Sequence, residues 1–328
     1  MKGIFRRFGL TLILSALLLI LSVVSLFIGV LDINIGAIFA GDMEQLEILL
    51  ISRLPRLLAI LCTGVGMSVA GLIMQQLCMN KFVSPTTGAT IQSAQFGILL
   101  SLVFLPGLGL WGRVLLAFGV SILGTWVFVW FVQRIQFKNT VLVPLVGIMF
   151  GNVLGGITSF IAYKFEVTQQ LSTHFVGSFA LIIKGNYELV WLVLPLVVLA
   201  FVFANYFNIV GIGRDFSENL GVHYKPVLFL GLTIASMITA SVVTVVGQIS
   251  YIGLMIPNIV SMFKGDKIKG TLVDTALLGA LFVLVCDVIA RSVMMPYELP
   301  IELIVGMIGS IMFMAMLICK LRKGGKRP

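Results

Sequence analysis

From Leu10 to Val30 the chain runs without a single charged side chain. A helix of about 20 apolar residues crosses the ~30 Å hydrocarbon layer of a bilayer, so this run has the length of a membrane span. Similar stretches recur at about 57–79, 88–106, 114–133, 141–163, 189–210, 226–246, 250–263, 271–293 and 301–319. They predict an all-α polytopic membrane protein of about ten spans. In lipid every backbone amide must be satisfied within the protein, and each polar side chain retained there needs a reason.

The composition agrees. Hydrophobic residues make up 59% of the 328 and charged residues 11%, against about 25% charged in soluble domains. The connections are too short to hold a soluble domain, so residues 1–328 read as one transmembrane unit. The 34 glycines suit close helix packing, which in a membrane is not driven by hydrophobicity. A net charge of +9 invites a nucleic-acid reading, but its placement follows membrane topology instead. Lys2, Arg6 and Arg7 precede the first span; Lys320, Arg322, Lys323, Lys326 and Arg327 follow the last. Both ends are therefore expected in the cytoplasm. Asp32, Asp42, Glu44, Glu47, Glu166 and Glu188 then fall in outer loops. The first span has a basic start, but it is too long for a signal peptide, and no small-residue cleavage site follows Val30.

Chemistry-bearing residues are sparse. Cys62, Cys78, Cys286 and Cys319 lie inside apolar stretches without metal spacing, and His174 and His223 stand far apart in the chain. There is no phosphate-binding loop, no nucleophile–base set and no paired carboxylates deep in a span, so neither a catalytic residue nor a cofactor is expected. Carboxylates able to relay protons reduce to Asp287 and Glu302, both near the outer boundary.

Three constellations remain. Ser52-Arg53-Leu54-Pro55-Arg56 sets two arginines at the outer mouth of the second span, against the charge trend. Guanidinium grips carboxylates with a planar fork, so the pair suits an acidic partner outside; snorkelling to headgroup phosphates is the alternative. Asp287 and Arg291 lie one helical turn apart and can pair, or Arg291 can project outward beside Arg53 and Arg56. The third is Gly211 to Val222. Ile212, Phe216 and Leu220 recur every four residues as one apolar face, Arg214, Asp215 and Glu218 lie on other faces, and Gly221 suits a helix C-cap. Such a helix inserts into a protein groove; a helix resting on lipid normally carries more Lys or Arg. Span five is rich in glycine and carries Asn152, a face better suited to a partner or a cavity than to lipid. Gly71-Leu72-Ile73-Met74 and Gly253-Leu254-Met255-Ile256 echo each other faintly without amounting to a repeat.

Read together, Arg53-Leu54-Pro55-Arg56, Gly71-Leu72-Ile73-Met74-Gln75-Gln76, Asn80-Lys81-Phe82-Val83-Ser84-Pro85, Ile252-Gly253-Leu254-Met255-Ile256-Pro257 and Glu298-Leu299-Pro300-Ile301 resemble the iron-siderophore and cobalamin-type permeases of bacterial ABC importers. Asn80-Lys81 and Pro257-Asn258 depart from the broad pattern, toward the branch handling catecholate siderophores such as petrobactin and away from cobalamin or haem. The resemblance implies a multi-pass subunit of the cytoplasmic membrane. It also implies a second permease (heterodimer or homodimer), two ATPase subunits, an external siderophore-binding protein and a ferric siderophore as cargo. By the same resemblance, Arg53, Arg56 and Arg291 receive carboxylates of the binding protein. Arg214, Asp215, Phe216, Ser217, Glu218, Leu220 and Gly221 form a coupling helix for the ATPase. Gln75, Gln76, Asn139, Thr140, Met149, Asn152 and Ser159 line or close the path. An ion-coupled secondary transporter is the competing class.

Overall fold

The computed structural model describes residues 2–29, 42–134 and 142–324. Helix α1 is Lys2–Phe27. Asp42 caps α2 (Met43–Ile48) by accepting from the amides of Glu44 and Gln45. A widened π turn, Leu49–Arg53, runs straight into α3, Leu54–Leu77; Pro55 in its first turn has no amide to offer the Ile51 carbonyl, which accepts from the Lys184 amide at 2.9 Å instead. Then come α4 (Thr90–Phe104), α5 (Leu110–Arg134), α6 (Leu142–Lys164) and α7 (Thr168–Phe175). They are followed by α8 (Val193–Val210), α9 (Arg214–Asn219), α10 (Tyr224–Val245), α11 (Ile252–Lys264), α12 (Ile268–Ser292) and α13 (Ile301–Gly324).

Each of the ten stretches read from the sequence carries an apolar helix, but they are not equal. Among the described residues, seven segments are long and apolar enough to cross a membrane: 9–27, 43–77, 111–134, 142–164, 188–210, 224–245 and 268–292. Helices α4 and α11 have only 15 and 13 residues. At 1.5 Å per residue, α4 and α11 are only about 20 Å long. Among the described residues, length and composition mark seven segments able to cross and three shorter apolar helices, which leaves the expected count of about ten unconfirmed. Turns cut two of the runs short: Ser84–Gly88, where Thr87 Oγ1 accepts from the Ser84 amide at 2.9 Å, delays α4, and Gly247–Tyr251 delays α11.

Helix α3 is the hub, buried along most of its length and packed against α12, α10, α11 and α8. Glycines set the tightest crossings. A Cβ on Gly71 would overlap the carbonyl of Gly253 in α11, and one on Gly64 would stand 2.5 Å from the carbonyl oxygen of Gly279 in α12. Backbones this close gain dispersion contact that bulky side chains would forbid. The faint sequence echo thus marks two segments that touch. Helix α6 is peripheral by contrast: it leans mainly on α4 and leaves Leu145, Ile148, Met149, Val153 and Phe160 exposed.

Candidate functional site

At the end of the bundle expected to face outward, the π turn and the first turn of α3 bring Arg53 and Arg56 toward the last turn of α12. Arg56 donates through Nη2 to Asp287 Oδ1 at 2.8 Å, and through Nη1 to both oxygens of Glu298 at 2.9 and 2.7 Å. Arg291 closes on the other oxygen of Asp287 at 2.7 Å. It also donates to Ser25 Oγ at 2.6 Å and to the Ile28 carbonyl at 2.7 Å. Arg53 reaches the same Ile28 carbonyl at 2.8 Å. Two guanidiniums thus sit at the C-terminal end of α1, where helix carbonyls lack partners and the macrodipole is negative.

The three arginines expected to face outward do converge, but Arg56 and Arg291 are turned inward, 8% and 3% exposed. The reason is electrostatic. Asp287, itself buried, would be prohibitively costly as a lone charge and draws both guanidiniums onto itself. The i,i+4 pairing of Asp287 with Arg291 is present; the outward projection of Arg291 is not. What opens to the exterior is a cavity of about 390 Å³ edged by Glu44, Glu47, Ser52, Arg53, Arg56 and Glu298.

At the opposite end, α9 covers Arg214–Asn219, shorter than the 211–222 expected. Its terminus forms a Schellman turn. Gly221, at φ +76°, donates to the Glu218 carbonyl at 3.0 Å, and Val222 to that of Ser217 at 2.9 Å. Ser217 is buried; its hydroxyl lies 2.6 Å from the Gly213 carbonyl oxygen and 3.1 Å from that of Ile209, tying α9 to the end of α8. Arg214 pairs with Glu218 at 2.9 Å on the solvent side. Ile212, Phe216 and Leu220 all stand exposed, Phe216 by 48%, but only Phe216 lies within α9: Ile212 precedes it across Gly213 at φ +126°, and Leu220 is its C-cap, so the expected single helical face is not formed. Asp215, also exposed, falls in the first turn, where a carboxylate complements the dipole.

The residues expected along a path scatter. Gln75 is buried and donates to the carbonyls of Gly253 and Leu254, both at 3.1 Å; the first of these lacks its helical donor because Pro257, four residues on, has no amide hydrogen. Gln76 borders a polar inner cavity of about 270 Å³ with Asn80, Lys81, Gly211 and Asp266. Met149, Asn152 and Ser159 share the exposed side of α6. Asn139 and Thr140 lie outside the described residues.

Two features escaped the sequence reading. Asp274 is a second buried acid within a span beside Asp287, Glu302 being only half-buried. It ion-pairs with Lys264 and accepts from Thr11 Oγ1 at 2.6 Å, linking α11, α12 and α1. Its position inside an apolar run was the available signal. Asn258, next to Pro257, donates to the Lys81 carbonyl at 2.8 Å and fastens α11 to the loop after α3. Among the described residues no cluster of three or more His, Cys, Asp or Glu could hold a metal.

A helical bundle with long apolar spans, its ionised groups gathered toward the two ends, is a multi-pass membrane protein. The chain belongs to the FecCD transport family, whose model matches residues 17–319. It is 46% identical over 281 residues to the petrobactin import system permease protein YclN of Bacillus subtilis, covering 86% of this chain and 89% of that one. It is 38% identical over 275 residues to the ferric-anguibactin transport system permease protein FatD of Vibrio anguillarum, covering 84% and 86%. A solved structure of an inward-facing metal-chelate type ABC transporter superposes with a TM-score of 0.79 at 24% identity, over 95% of this chain and 99% of that one. At that identity the likeness speaks to the fold.

Proposed function

We propose that this chain is the membrane-spanning subunit of an ATP-driven importer that carries a ferric siderophore of the petrobactin kind across the bacterial cytoplasmic membrane. The observation that carries the reading is the similarity, along most of the chain, to permeases named for petrobactin import in Bacillus subtilis and Bacillus anthracis, at 46% and 36% identity. The chain's own residues supply neither catalysis nor a nucleotide site. Energy enters from a partner ATPase through α9 and its flanks, where the exposed Ile212, Phe216 and Leu220 fit a groove. Ser217 and the Schellman turn fix α9 to α8, so a push on α9 becomes a tilt of packed helices rather than a local bend.

On the outside, Arg53, Arg56 and Arg291 form the positive centre on which a siderophore-binding protein docks through carboxylates. The exposed side of α6, with Met149, Asn152 and Ser159, faces the path beside a second permease, identical or different. Gln76, Asn139 and Thr140 lie toward its inner end, and Gln75 braces the helices behind it. A large polar cargo suits such a broad surface of weak contacts better than a tight charged cage. Both termini lie in the cytoplasm. The test is uptake of radiolabelled ferric petrobactin by cells with and without this chain, together with co-purification. Uptake that requires the chain and a bound ATPase supports the reading. Uptake that persists without an ATPase and collapses with the proton gradient identifies an ion-coupled transporter instead.

A further inference from the structure

Arg56 has its guanidinium engaged entirely from within the molecule. Nε and Nη2 face Asp287 Oδ1 at 3.3 and 2.8 Å, while Nη1 meets both Glu298 oxygens. The two acids differ in access. The Asp287 side chain is 1% exposed, whereas that of Glu298 is 23% exposed and borders the outer cavity. A carboxylate arriving from outside cannot reach the Asp287 side of the fork. It reaches Nη1 only by occupying the place of Glu298.

We propose that Glu298 is a placeholder carboxylate: it holds Arg56 closed until an acidic side chain of the docking protein displaces it, one carboxylate for another. The proposal rests on the docking role given above to these arginines. Exchange of like for like keeps Arg56 paired with a carboxylate on its accessible side throughout. The displaced Glu298 stays tethered at the cavity that Glu44 and Glu47 also edge, with Arg53 at its rim, so these three acids limit the strength of docking. The inner half of the network, Asp287 with Arg291, stays in place throughout, so the anchor of α1 is not loosened. Glu298 lies in the short link to α13, fixed on either side by the Tyr297 amide on the Met294 carbonyl at 2.8 Å and the Leu299 amide on that of Ala290 at 3.2 Å. Its side chain can therefore swing out with little movement of the main chain. Docking through Arg56 is then inherently reversible, as repeated delivery requires.

The test measures the affinity of the transporter complex in nanodiscs for the siderophore-binding protein that supports uptake with it in the same cells. Glu298→Gln removes the competing charge and should tighten docking about tenfold, with slower dissociation. That gain should vanish in the Arg56→Ala/Glu298→Gln double variant. Unchanged or weaker docking by Glu298→Gln, with Arg53→Ala and Arg56→Ala both weakening it, overturns the placeholder and leaves the docking role standing. Docking indifferent to every arginine variant overturns the docking role itself. Should Glu298→Gln not fold, Glu298→Asp, one methylene shorter, should show a smaller gain in the same direction, and its absence counts equally against the proposal.

Discussion

Asp287 is the residue on which the outer end is organised, one buried carboxylate between Arg56 of α3 and Arg291 of its own helix. Replacing it with Asn leaves two desolvated guanidiniums without a shared counter-charge. Breaking a buried pair costs about 3–5 kcal/mol. Asp287→Asn should lower the melting temperature of the detergent-purified protein by several degrees, and an unshifted melt would show that the cluster is hydrated. How much of this was readable follows from distance along the chain. The Asp287–Arg291 pair was legible because four residues is one helical turn. The Arg56–Glu298 pair was not, since 242 residues separate the partners and no local rule links them.

Helix α9 has six residues, fewer than an isolated helix needs to persist in water. Its order comes from its ends: Ser217 bonded back to α8, and Gly221 in the left-handed region that side chains with a Cβ avoid. The spacing of Ile212, Phe216 and Leu220 marked three residues that are exposed, but only Phe216 lies on the helix, because the chain leaves helical geometry at Gly213 and the helix is capped at Leu220. The buried anchor at Ser217 was not legible, since a serine amid polar neighbours gives no sign of facing inward. Phe216→Asp should abolish co-purification of the ATPase while leaving thermal stability nearly unchanged, the side chain being half exposed. Retained binding with normal substrate-stimulated ATP hydrolysis would remove α9 from the coupling role.

For the molecule as a whole, α3 is the axis and glycine contacts decide how closely the other helices approach it. Gly71→Val drives a branched side chain into the Gly253 backbone, which cannot yield as a flexible side chain could. It should prevent accumulation of folded protein, seen as loss of the monodisperse peak on size exclusion. Gly156 on α6 has open space around it within the single chain, so Gly156→Val should preserve the peak. Equal behaviour of the two variants would contradict α3 as the hub.

The placement of the apolar runs, the short helix after α8 and the family motifs all follow from the order of residues. Hydrocarbon selects by length and charge, and a helix repeats its faces at short fixed intervals. Tertiary structure alone settled the rest. It turned Arg56 and Arg291 inward, set Lys264 against Asp274, brought Gly71 onto Gly253 and left α6 uncovered. Each of these joins or separates residues far apart in the chain, and only packing determines which distant surfaces meet.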